Sequence, residues 1–234
     1  MQCVILAGGR GERMRPLTDE LPKALLSVCG VPFAGHQLDW LAREGVDRVV
    51  YCIGYRGDLI RQYVDTGAQW GVAVDFVDEG GDLRGTAGAL RLALDEGVLR
   101  ERFFVLYGDS YLPISLEPVW EAFAESGRPA LMTVLRNENR WDRSNAAVED
   151  GLVTRYDKTA QADDTLEWID YGLSALEASL VAERVPAGEK ADLADVLREL
   201  SAERLLSAYE VEERFFEIGS PLGLEELERH LREK

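Results

Sequence analysis

The sequence predicts an α/β fold, in which a mostly parallel, mixed sheet carries helices on both faces. Runs of apolar and β-branched residues alternate with segments of helical periodicity, most regularly over residues 1–112. Such alternation is typical of parallel strands joined by crossover helices. The 234 residues are 46% hydrophobic and 29% charged, as in an ordinary globular domain. With no repeat or linker pattern, we expect a single domain over residues 1–234.

The elements of the first half follow from their residue patterns. Apolar or β-branched runs predict strands at 4–7, 48–54, 72–77 and 103–107. Apolar residues at helical spacing predict helices at 34–44, 58–64 and 86–94. Gly45 suits the C-cap of the first helix, and Thr86 suits the N-cap of the third.

The second half is less regular. Helices are predicted at 120–125, 193–206 and 222–231, and strands at 130–136, 168–176 and 214–218. Residues 145–156 resemble a hairpin that turns at Asp150 and Gly151.

Charge and composition restrict the partners. The net charge of −17 argues against nucleic acid and anionic membranes, because both would be repelled. We see no charged and apolar leader and no apolar run long enough to span a bilayer. Cys3, Cys29 and Cys52 contain no C-x-x-C pair, which suits a reducing compartment. We therefore expect no nucleic-acid partner, no membrane partner and a cytoplasmic location.

The strongest chemical signal is the segment 4–23, VILAGGRGERMRPLTDELPK. A short apolar strand runs into three glycines, and three cations follow within a few residues. Glycines allow backbone N–H groups to approach an anion closely, and the cations can neutralise several phosphates. The segment predicts a phosphate site; the alternative is a glycine-rich turn with solvated arginines. Its residues are Leu6, Ala7, Gly8, Gly9, Gly11, Arg13, Arg15 and Lys23.

Two common phosphate motifs do not fit this segment. A P-loop requires Lys-Ser or Lys-Thr after its glycines, and neither is present. The dinucleotide fingerprint needs a third glycine where Met14 stands, and Pro16 would break the helix that follows it. A hydride-transferring dehydrogenase is therefore disfavoured.

The segment resembles the signature of the sugar-1-phosphate nucleotidyltransferases, Gly-Gly-x-Gly-x-Arg-(Leu/Met)-x-Pro-Leu-Thr followed by Pro-Lys. The matching residues are Gly8, Gly9, Gly11, Arg13, Met14, Pro16, Leu17, Thr18, Pro22 and Lys23. The resemblance implies a Rossmann-like fold of the nucleotide-diphospho-sugar transferase type, as in the short, single-domain members. It also implies a nucleotide-binding portion at 1–112 and a sugar-phosphate-binding portion at 113–234.

The resemblance further implies the residues of the nucleotide site. Residues 85–89 are similar to the family segment whose backbone lies against the nucleobase, and Glu79 is a candidate for hydrogen bonds to the base edge. Arg84 departs from the pattern, because Leu and Gly usually adjoin at that point. A purely structural role for Thr86 is the alternative. The expected nucleotide-binding residues are Leu6, Ala7, Gly8, Gly9, Gly11, Glu79, Gly85, Thr86 and Gly108.

Two carboxylates are candidates for a metal site. Asp109 follows an apolar strand, at the edge where open α/β sheets bind ligands, and Glu217 stands within the apolar run RFFEIG. A carboxylate in such a run is costly unless it binds a cation or a partner, and Mg²⁺ needs only one or two carboxylates plus substrate phosphates. YGDSY resembles the family's Gly-Asp metal motif, although the family usually has Asp at the position of Glu217. Alternatively, Asp109 caps a turn and Glu217 pairs with an arginine.

The sugar-phosphate side is indicated by motif order. Asp157 and Lys158 resemble the family's Glu-Lys pair, whose lysine holds the phosphate of the sugar 1-phosphate; an ordinary surface pair is the alternative. Asp170 and Gly172 stand where the family has Asn-Ala-Gly, and only Gly172 matches. With Asn145, these residues are expected to bind the sugar phosphate.

The resemblance implies transfer of a nucleoside monophosphate from a nucleoside triphosphate to a sugar 1-phosphate, with Mg²⁺ as cofactor. Arg13, Lys23 and Asp109 would be catalytic, and Asp109 and Glu217 would hold the metal. We expect a guanylyl- or uridylyltransferase acting on a heptose or amino-sugar 1-phosphate; a homo-oligomer is compatible with the sequence. One alternative is a regulatory subunit that binds sugar nucleotides without catalysis. Another is a glycosyltransferase, although its Asp-x-Asp motif is absent from residues 109–111.

Overall fold

The computed structural model describes residues 1–137, 140–159 and 165–233. In these ranges the strands are β1 (Gln2–Ala7), β2 (Ser27–Val28), β3 (Val31–Pro32), β4 (Arg48–Ile53), β5 (Ala73–Asp78), β6 (Arg102–Tyr107), β7 (Ser110–Tyr111), β8 (Ala130–Arg136), β9 (Ala146–Glu149), β10 (Leu152–Tyr156), β11 (Trp168–Glu177), β12 (Leu206–Val211) and β13 (Phe216–Glu217). The helices are α1 (Phe33–Arg43), α2 (Gly57–Val64), α3 (Gly85–Asp95), α4 (Glu117–Ser126), α5 (Ala178–Arg184), α6 (Leu193–Ala202) and α7 (Pro221–Arg232). No helix in the described ranges is long and apolar enough to cross a bilayer.

One mixed sheet runs through both halves of the chain, in the order β5-β4-β1-β6-β11-β8-β12-β10-β9. The first four strands are parallel to one another and come from residues 1–112. The other five come from residues 113–234, where β8 and β12 are parallel and the remaining neighbours antiparallel. β11 joins the halves by pairing antiparallel with β6. The predicted α/β fold with a mixed sheet is confirmed.

The sheet is covered on both faces, as predicted. Successive residues of β1 point to opposite sides, so Cys3 and Ile5 lie in one apolar cluster and Val4 in the other. The first cluster contains residues of α1, α2, α4 and α7. The second contains residues of α3, α5 and α6. The central strands are therefore buried between two helical layers.

The sequence prediction is wrong at the end of α6. A helix was expected to continue to residue 206, but α6 ends at Ala202, and Arg204 has the left-handed φ of 59°. Leu206–Val211 then forms β12, which pairs with β8 over six residues. The hydrogen bonds of this long-range pairing outweigh the local helical pattern. The predicted strand 214–218 is likewise reduced to β13, whose two residues pair with β7.

Several short elements were not predicted. They are the β2–β3 hairpin, β7 and α5. Each has seven residues or fewer, which is too short for periodicity to identify it. The β7–β13 ribbon nevertheless matters for the site, because it carries Glu217 next to Ser110.

Two leucines on different helices test where the core lies. Leu197 in α6 has no exposed surface, whereas the side chain of Leu222 in α7 is 63% exposed. We expect Leu197→Ala to lower the free energy of unfolding by about 2–5 kcal/mol, because it leaves a cavity in the core. Leu222→Ala should change it by less than about 0.5 kcal/mol. Urea unfolding of both variants is the measurement; equal losses would contradict the packing of α6.

Candidate active site

The carboxyl ends of β1 and β6 border a first cleft of about 280 Å³. All residues predicted to bind nucleotide line it, together with Lys23 and Asp109, and Asp109 also lines a second cleft. The predicted residues are Leu6, Ala7, Gly8, Gly9, Gly11, Glu79, Gly85, Thr86 and Gly108. The structure therefore brings them together, while their individual roles stay predictions.

Two of these glycines are closely packed, Gly108 against backbone and Gly8 against the Glu79 side chain. A Cβ at Gly108 would lie 2.7 Å from the carbonyl oxygen of Leu6, and a Cβ at Gly8 would lie 2.3 Å from Oε1 of Glu79. Gly9 has nothing within 4 Å of its Cβ position, so this part of the loop borders open space. The glycines let the loop pack against β6 and Glu79 while its backbone remains accessible from the cleft.

The far end of the glycine loop is held by contacts that the sequence analysis did not find. Thr18 donates from Oγ1 to the carbonyl oxygen of Gly11 at 2.8 Å. The Tyr55 hydroxyl and Nη2 of Arg56 donate to the carbonyl oxygen of Asp19, at 2.9 and 3.0 Å. These bonds attach the loop to the segment after β4, and they fix its course toward Lys23.

Lys23 and Asp109 form an ion pair with 2.8 Å between Nζ and Oδ2. Their side chains are only 15% and 23% exposed, so the pair is largely withdrawn from water. The ion pair joins the end of the glycine loop to Asp109, two residues after the end of β6. Lys23 and Asp109 therefore lie together, while their catalytic roles stay predictions.

Gln37, which the sequence did not predict, supports the turn that carries Asp109. It is fully buried in α1, where Nε2 donates to the carbonyl oxygens of Tyr107 at 3.2 Å and Ser110 at 2.9 Å. Both carbonyls flank Asp109 in the chain, so Gln37 fixes the turn that presents the carboxylate. The only signal in the sequence is an amide on the apolar face of a helix, next to Leu38.

Thr86 lies in the first turn of α3, and Glu79, directly after β5, contacts the N-cap of that helix. Oε2 of Glu79 accepts a hydrogen bond from the backbone N–H of Arg84 at 2.8 Å, and partial withdrawal from water raises its pKa. Thr86 is not the N-cap, because α3 begins at Gly85 and its N-cap is Arg84. Instead, the Thr86 hydroxyl donates to Asp192 at 2.8 Å and accepts from the backbone N–H of residue 193. It therefore links α3 to the beginning of α6.

A second cleft of about 510 Å³ adjoins the first and shares its border. It contains the remaining predicted residues, which come from both halves of the chain. They are Arg13, Asp109, Asn145, Lys158, Asp170, Gly172 and Glu217. Asp109, Tyr107 and Thr86 line both clefts.

Asp109 and Glu217 approach each other through the β7–β13 ribbon. Glu217 is opposite Ser110, and the N–H of Ile218 donates to the carbonyl oxygen of Asp109 at 2.9 Å. The Glu217 side chain lies in the second cleft and still contacts solvent. Loss of hydration and, after it, the nearby Asp109 carboxylate raise the pKa of Glu217 to about 7. The alternative roles from the sequence, Asp109 as the cap of a turn and Glu217 paired with an arginine, are not observed in the described ranges. Asp109 pairs with Lys23, and Glu217 has no ion pair among the described residues.

The carboxylates of Asp109 and Glu217 suit a hard cation whose remaining ligands are oxygens of the substrates. The described residues contain no group of three or more His, Cys, Asp or Glu side chains arranged to hold a metal ion. Asp109 and Glu217 supply two carboxylates; loss of hydration and, after it, the nearby Asp109 carboxylate raise the pKa of Glu217, so a cation between the two would favour the charged form. Mg²⁺ is commonly held by one or two carboxylates together with substrate phosphates.

Asp170 is fixed by three hydrogen bonds. Its Oδ2 accepts from the Tyr156 hydroxyl at 2.9 Å, and its Oδ1 accepts from the N–H of Gly172 at 2.9 Å. Its own N–H donates to Oδ1 of Asn145 at 2.8 Å. Gly172 has a φ of 98°, which favours glycine. The sequence predicts Asp170, Asn145 and Gly172 here, and it places Tyr156 only at the end of a hairpin.

Fold and site together define a class of protein. The cleft at the carboxyl ends of parallel strands, with a glycine-rich loop, is where α/β proteins bind nucleotides. The adjoining cleft combines two carboxylates with cations that have no ion pair among the described residues, namely Arg13, Arg143 and Lys158. Such a pair of clefts suits the transfer of a phosphate group between two bound substrates.

Comparison with known proteins identifies the family. Residues 2–157 match the family model described as nucleotidyl transferase, and the chain belongs to this family. The UTP–glucose-1-phosphate uridylyltransferase AglF of Haloferax volcanii is 32% identical over 145 residues, which are 62% of this chain and 57% of that protein. The mannose-1-phosphate guanylyltransferase catalytic subunit beta of Xenopus tropicalis is 27% identical over 227 residues, 94% of this chain and 62% of that protein. The chain thus spans less than two thirds of the length of these relatives.

A solved structure supports the fold. The inositol-1-phosphate CTP transferase from T. maritima superposes with a TM-score of 0.79 at 23% identity, covering 99% of this chain and 96% of that one. It confirms the predicted fold type, while the predicted resemblance to sugar-1-phosphate nucleotidyltransferases is confirmed by the family model and the named relatives.

Gln37 can be tested without any ligand. Gln37→Leu keeps the volume but removes both donated hydrogen bonds, leaving two carbonyls beside Asp109 without this donor. We expect the free energy of unfolding to fall by about 1–3 kcal/mol. Gln62→Leu, at an exposed position of α2, is the matched control and should shift it by less than about 0.5 kcal/mol. If the two variants unfold at the same urea concentration, Gln37 does not support the turn.

Proposed function

We propose that this protein transfers a nucleoside monophosphate from a nucleoside triphosphate to a sugar 1-phosphate, releasing pyrophosphate. The observation that carries the proposal is the position of the Lys23–Asp109 pair. Asp109 lines both clefts, so it borders the glycine-lined cleft and the cleft of Lys158 and Asp170 at once. Two substrates bound in these clefts would meet beside this pair.

The chemistry follows from the charges at the site. A phosphate oxygen of the sugar 1-phosphate attacks the α-phosphorus in line; the bond to the bridging oxygen of the β-phosphate breaks, and pyrophosphate leaves with that electron pair. Positioning and neutralisation of charge supply the catalysis. Arg13 would hold the leaving phosphates, Lys23 would offset charge growing on the α-phosphate, and Lys158 would hold the attacking phosphate.

Asp109 and Glu217 would hold the divalent metal, which we propose to be Mg²⁺. The bound ion supplies positive charge to the phosphates. Lys23 already neutralises Asp109 in the structure, while Glu217 has no ion pair among the described residues. The two carboxylates therefore differ in charge environment, although both face the second cleft.

The finer assignments belong to the proposal. The names of the relatives, a uridylyltransferase and a guanylyltransferase, agree with a guanylyl- or uridylyltransferase. A heptose or amino-sugar 1-phosphate as acceptor, a cytoplasmic location and a homo-oligomer stay predictions. So do the assignments of residues 1–112 to nucleotide binding and 113–234 to sugar-phosphate binding.

Pyrophosphate release tests the reaction. The protein is incubated with Mg²⁺, each of ATP, GTP, CTP, UTP and dTTP, and a panel of sugar 1-phosphates that includes glucose, mannose, heptose and amino sugars. We expect pyrophosphate from at least one pair, in amounts equal to the NDP-sugar formed. If no pair yields pyrophosphate although the protein binds a sugar nucleotide, the regulatory alternative replaces this proposal.

Lys23 should be required for turnover but not for folding. Lys23→Ala removes the cation beside the α-phosphate, and we expect kcat to fall by at least ~10²-fold. Lys190→Ala, at an exposed lysine outside both clefts, is the control and should leave kcat unchanged. The steady-state rates of both variants are compared after circular dichroism has confirmed that they fold. Near-normal turnover of Lys23→Ala would remove Lys23 from the mechanism.

The metal assignment predicts a change in magnesium dependence. EDTA should abolish pyrophosphate release and added Mg²⁺ should restore it. Glu217→Gln removes one charged ligand, so the Mg²⁺ concentration for half-maximal rate should rise at least ~10-fold. Glu212→Gln neutralises a nearby exposed carboxylate outside the cleft and serves as the control. An unchanged Mg²⁺ titration for Glu217→Gln would exclude this residue as a ligand.

A further inference from the structure

Lys158 is held by an aromatic ring rather than by a carboxylate. Its Nζ lies 4.8 Å from the centroid of the Tyr107 ring, within the range of a cation–π interaction. Lys158 has no ion pair among the described residues. The carboxylate of the preceding Asp157 instead accepts from the N–H and hydroxyl of Thr159, at 2.9 and 2.8 Å.

Tyr107 occupies a central position in the site. It is the last residue of β6, two positions before Asp109, and it lines both clefts. Its carbonyl is bound by Gln37, so the backbone that carries the ring is fixed. Its hydroxyl oxygen is buried and has no hydrogen-bond partner among the described residues. A buried hydroxyl without a partner is unfavourable, so hydrogen bonding within the protein does not explain a tyrosine here.

The geometry points to a positioning role, and we propose that the Tyr107 ring holds the Lys158 ammonium over the second cleft, where it receives the phosphate of the sugar 1-phosphate. The identity of that phosphate rests on the proposed function, whereas the contact between ring and ammonium does not. Because Tyr107 and Asp109 leave the same strand end, the ring sets the distance between the acceptor's anchor and the predicted metal carboxylate.

An aromatic ring suits this task better than an acidic side chain. A carboxylate would neutralise Lys158 and would compete with the incoming phosphate. The face of a ring orients the ammonium but leaves its positive charge and its N–H donors available. In a chain of net charge −17, an oriented cation without an ion pair is valuable for binding an anion.

Kinetics of two Tyr107 variants separate the ring from the hydroxyl. Tyr107→Leu removes the π face and should raise the KM for the sugar 1-phosphate about 3- to 30-fold, while the KM for the triphosphate changes less than about twofold. Tyr107→Phe keeps the ring and loses only the unpartnered hydroxyl, so both KM values should stay within about twofold of wild type. If Tyr107→Phe is as impaired as Tyr107→Leu, or if neither changes the KM for the sugar phosphate, the proposal is wrong.

A spectroscopic test does not depend on turnover. The sequence has only four lysines, so NMR of the reductively ¹³C-methylated protein gives few signals, and Lys158→Arg assigns the one that matters. We expect the Lys158 signal to be shifted upfield by the ring in wild type and in Tyr107→Phe, and to lose this shift in Tyr107→Leu. Titration with inorganic phosphate should move the same signal.

The two tests distinguish the possible failures. An unshifted Lys158 signal in an enzyme that releases pyrophosphate would overturn the role of Tyr107 and leave the proposed function intact. A ring-shifted signal that responds to phosphate, in a protein that releases no pyrophosphate with any substrate pair, would overturn the proposed function and support the contact.

Discussion

The ion pair between Lys23 and Asp109 is the contact on which the geometry of the site depends. It connects residues 86 positions apart, and so closes the glycine loop onto the end of β6. Removing both charges from water costs free energy that the attraction between them only partly returns, so the pair adds little to stability. Its contribution is position: the cation of one segment and the carboxylate of another are held together in the first cleft before any ligand arrives, and the carboxylate also lines the second cleft. Preorganised charges of this kind need no rearrangement when charge develops on a substrate.

In the described part of the chain, cations outside the clefts are mostly paired with carboxylates, whereas several that line the clefts are not. Away from the clefts, many arginines pair with carboxylates, as Arg48 does with Asp75 at 2.6 Å. Arg13 and Lys158 border the second cleft and have no ion pair within the described residues. An acidic protein repels polyanions at long range, but screening limits that repulsion to about 8–10 Å at physiological salt. Local cations without ion pairs can therefore bind phosphates in spite of the negative net charge.

The sequence predicted what depends on local spacing and missed what depends on distant pairing. The glycine loop, its cations and Asp109 lie within or directly after buried strands, so their order along the chain already indicates a common edge. Glu217 reaches Asp109 through the two-residue ribbon of β7 and β13; the sequence indicated Glu217 by its carboxylate in an apolar run and by the family resemblance, but it did not indicate the ribbon. The helix predicted to residue 206 failed because pairing of β12 with β8 decides that segment. Gln37 was missed because its partners are backbone carbonyls some 70 residues away, which leave no trace in composition.

The departure from the family pattern at residues 170–172 is built into the fold. Tyr171 is buried and packs edge-on against Phe215, so its side chain lies in the core and not in the cleft. Asp170 remains at the cleft wall, where the Tyr156 hydroxyl and the N–H of Gly172 each occupy one carboxylate oxygen. Each oxygen keeps a further lone pair, so this carboxylate can still accept from a ligand hydroxyl or amine, in one fixed orientation. An acceptor held this rigidly binds ligands whose donors match its geometry more tightly than ligands that leave it unpaired. A polar site discriminates between similar ligands in this way. In the proposed reaction, the choice of sugar would therefore depend on Asp170 more than on the glycine loop, whose backbone would contact any triphosphate alike.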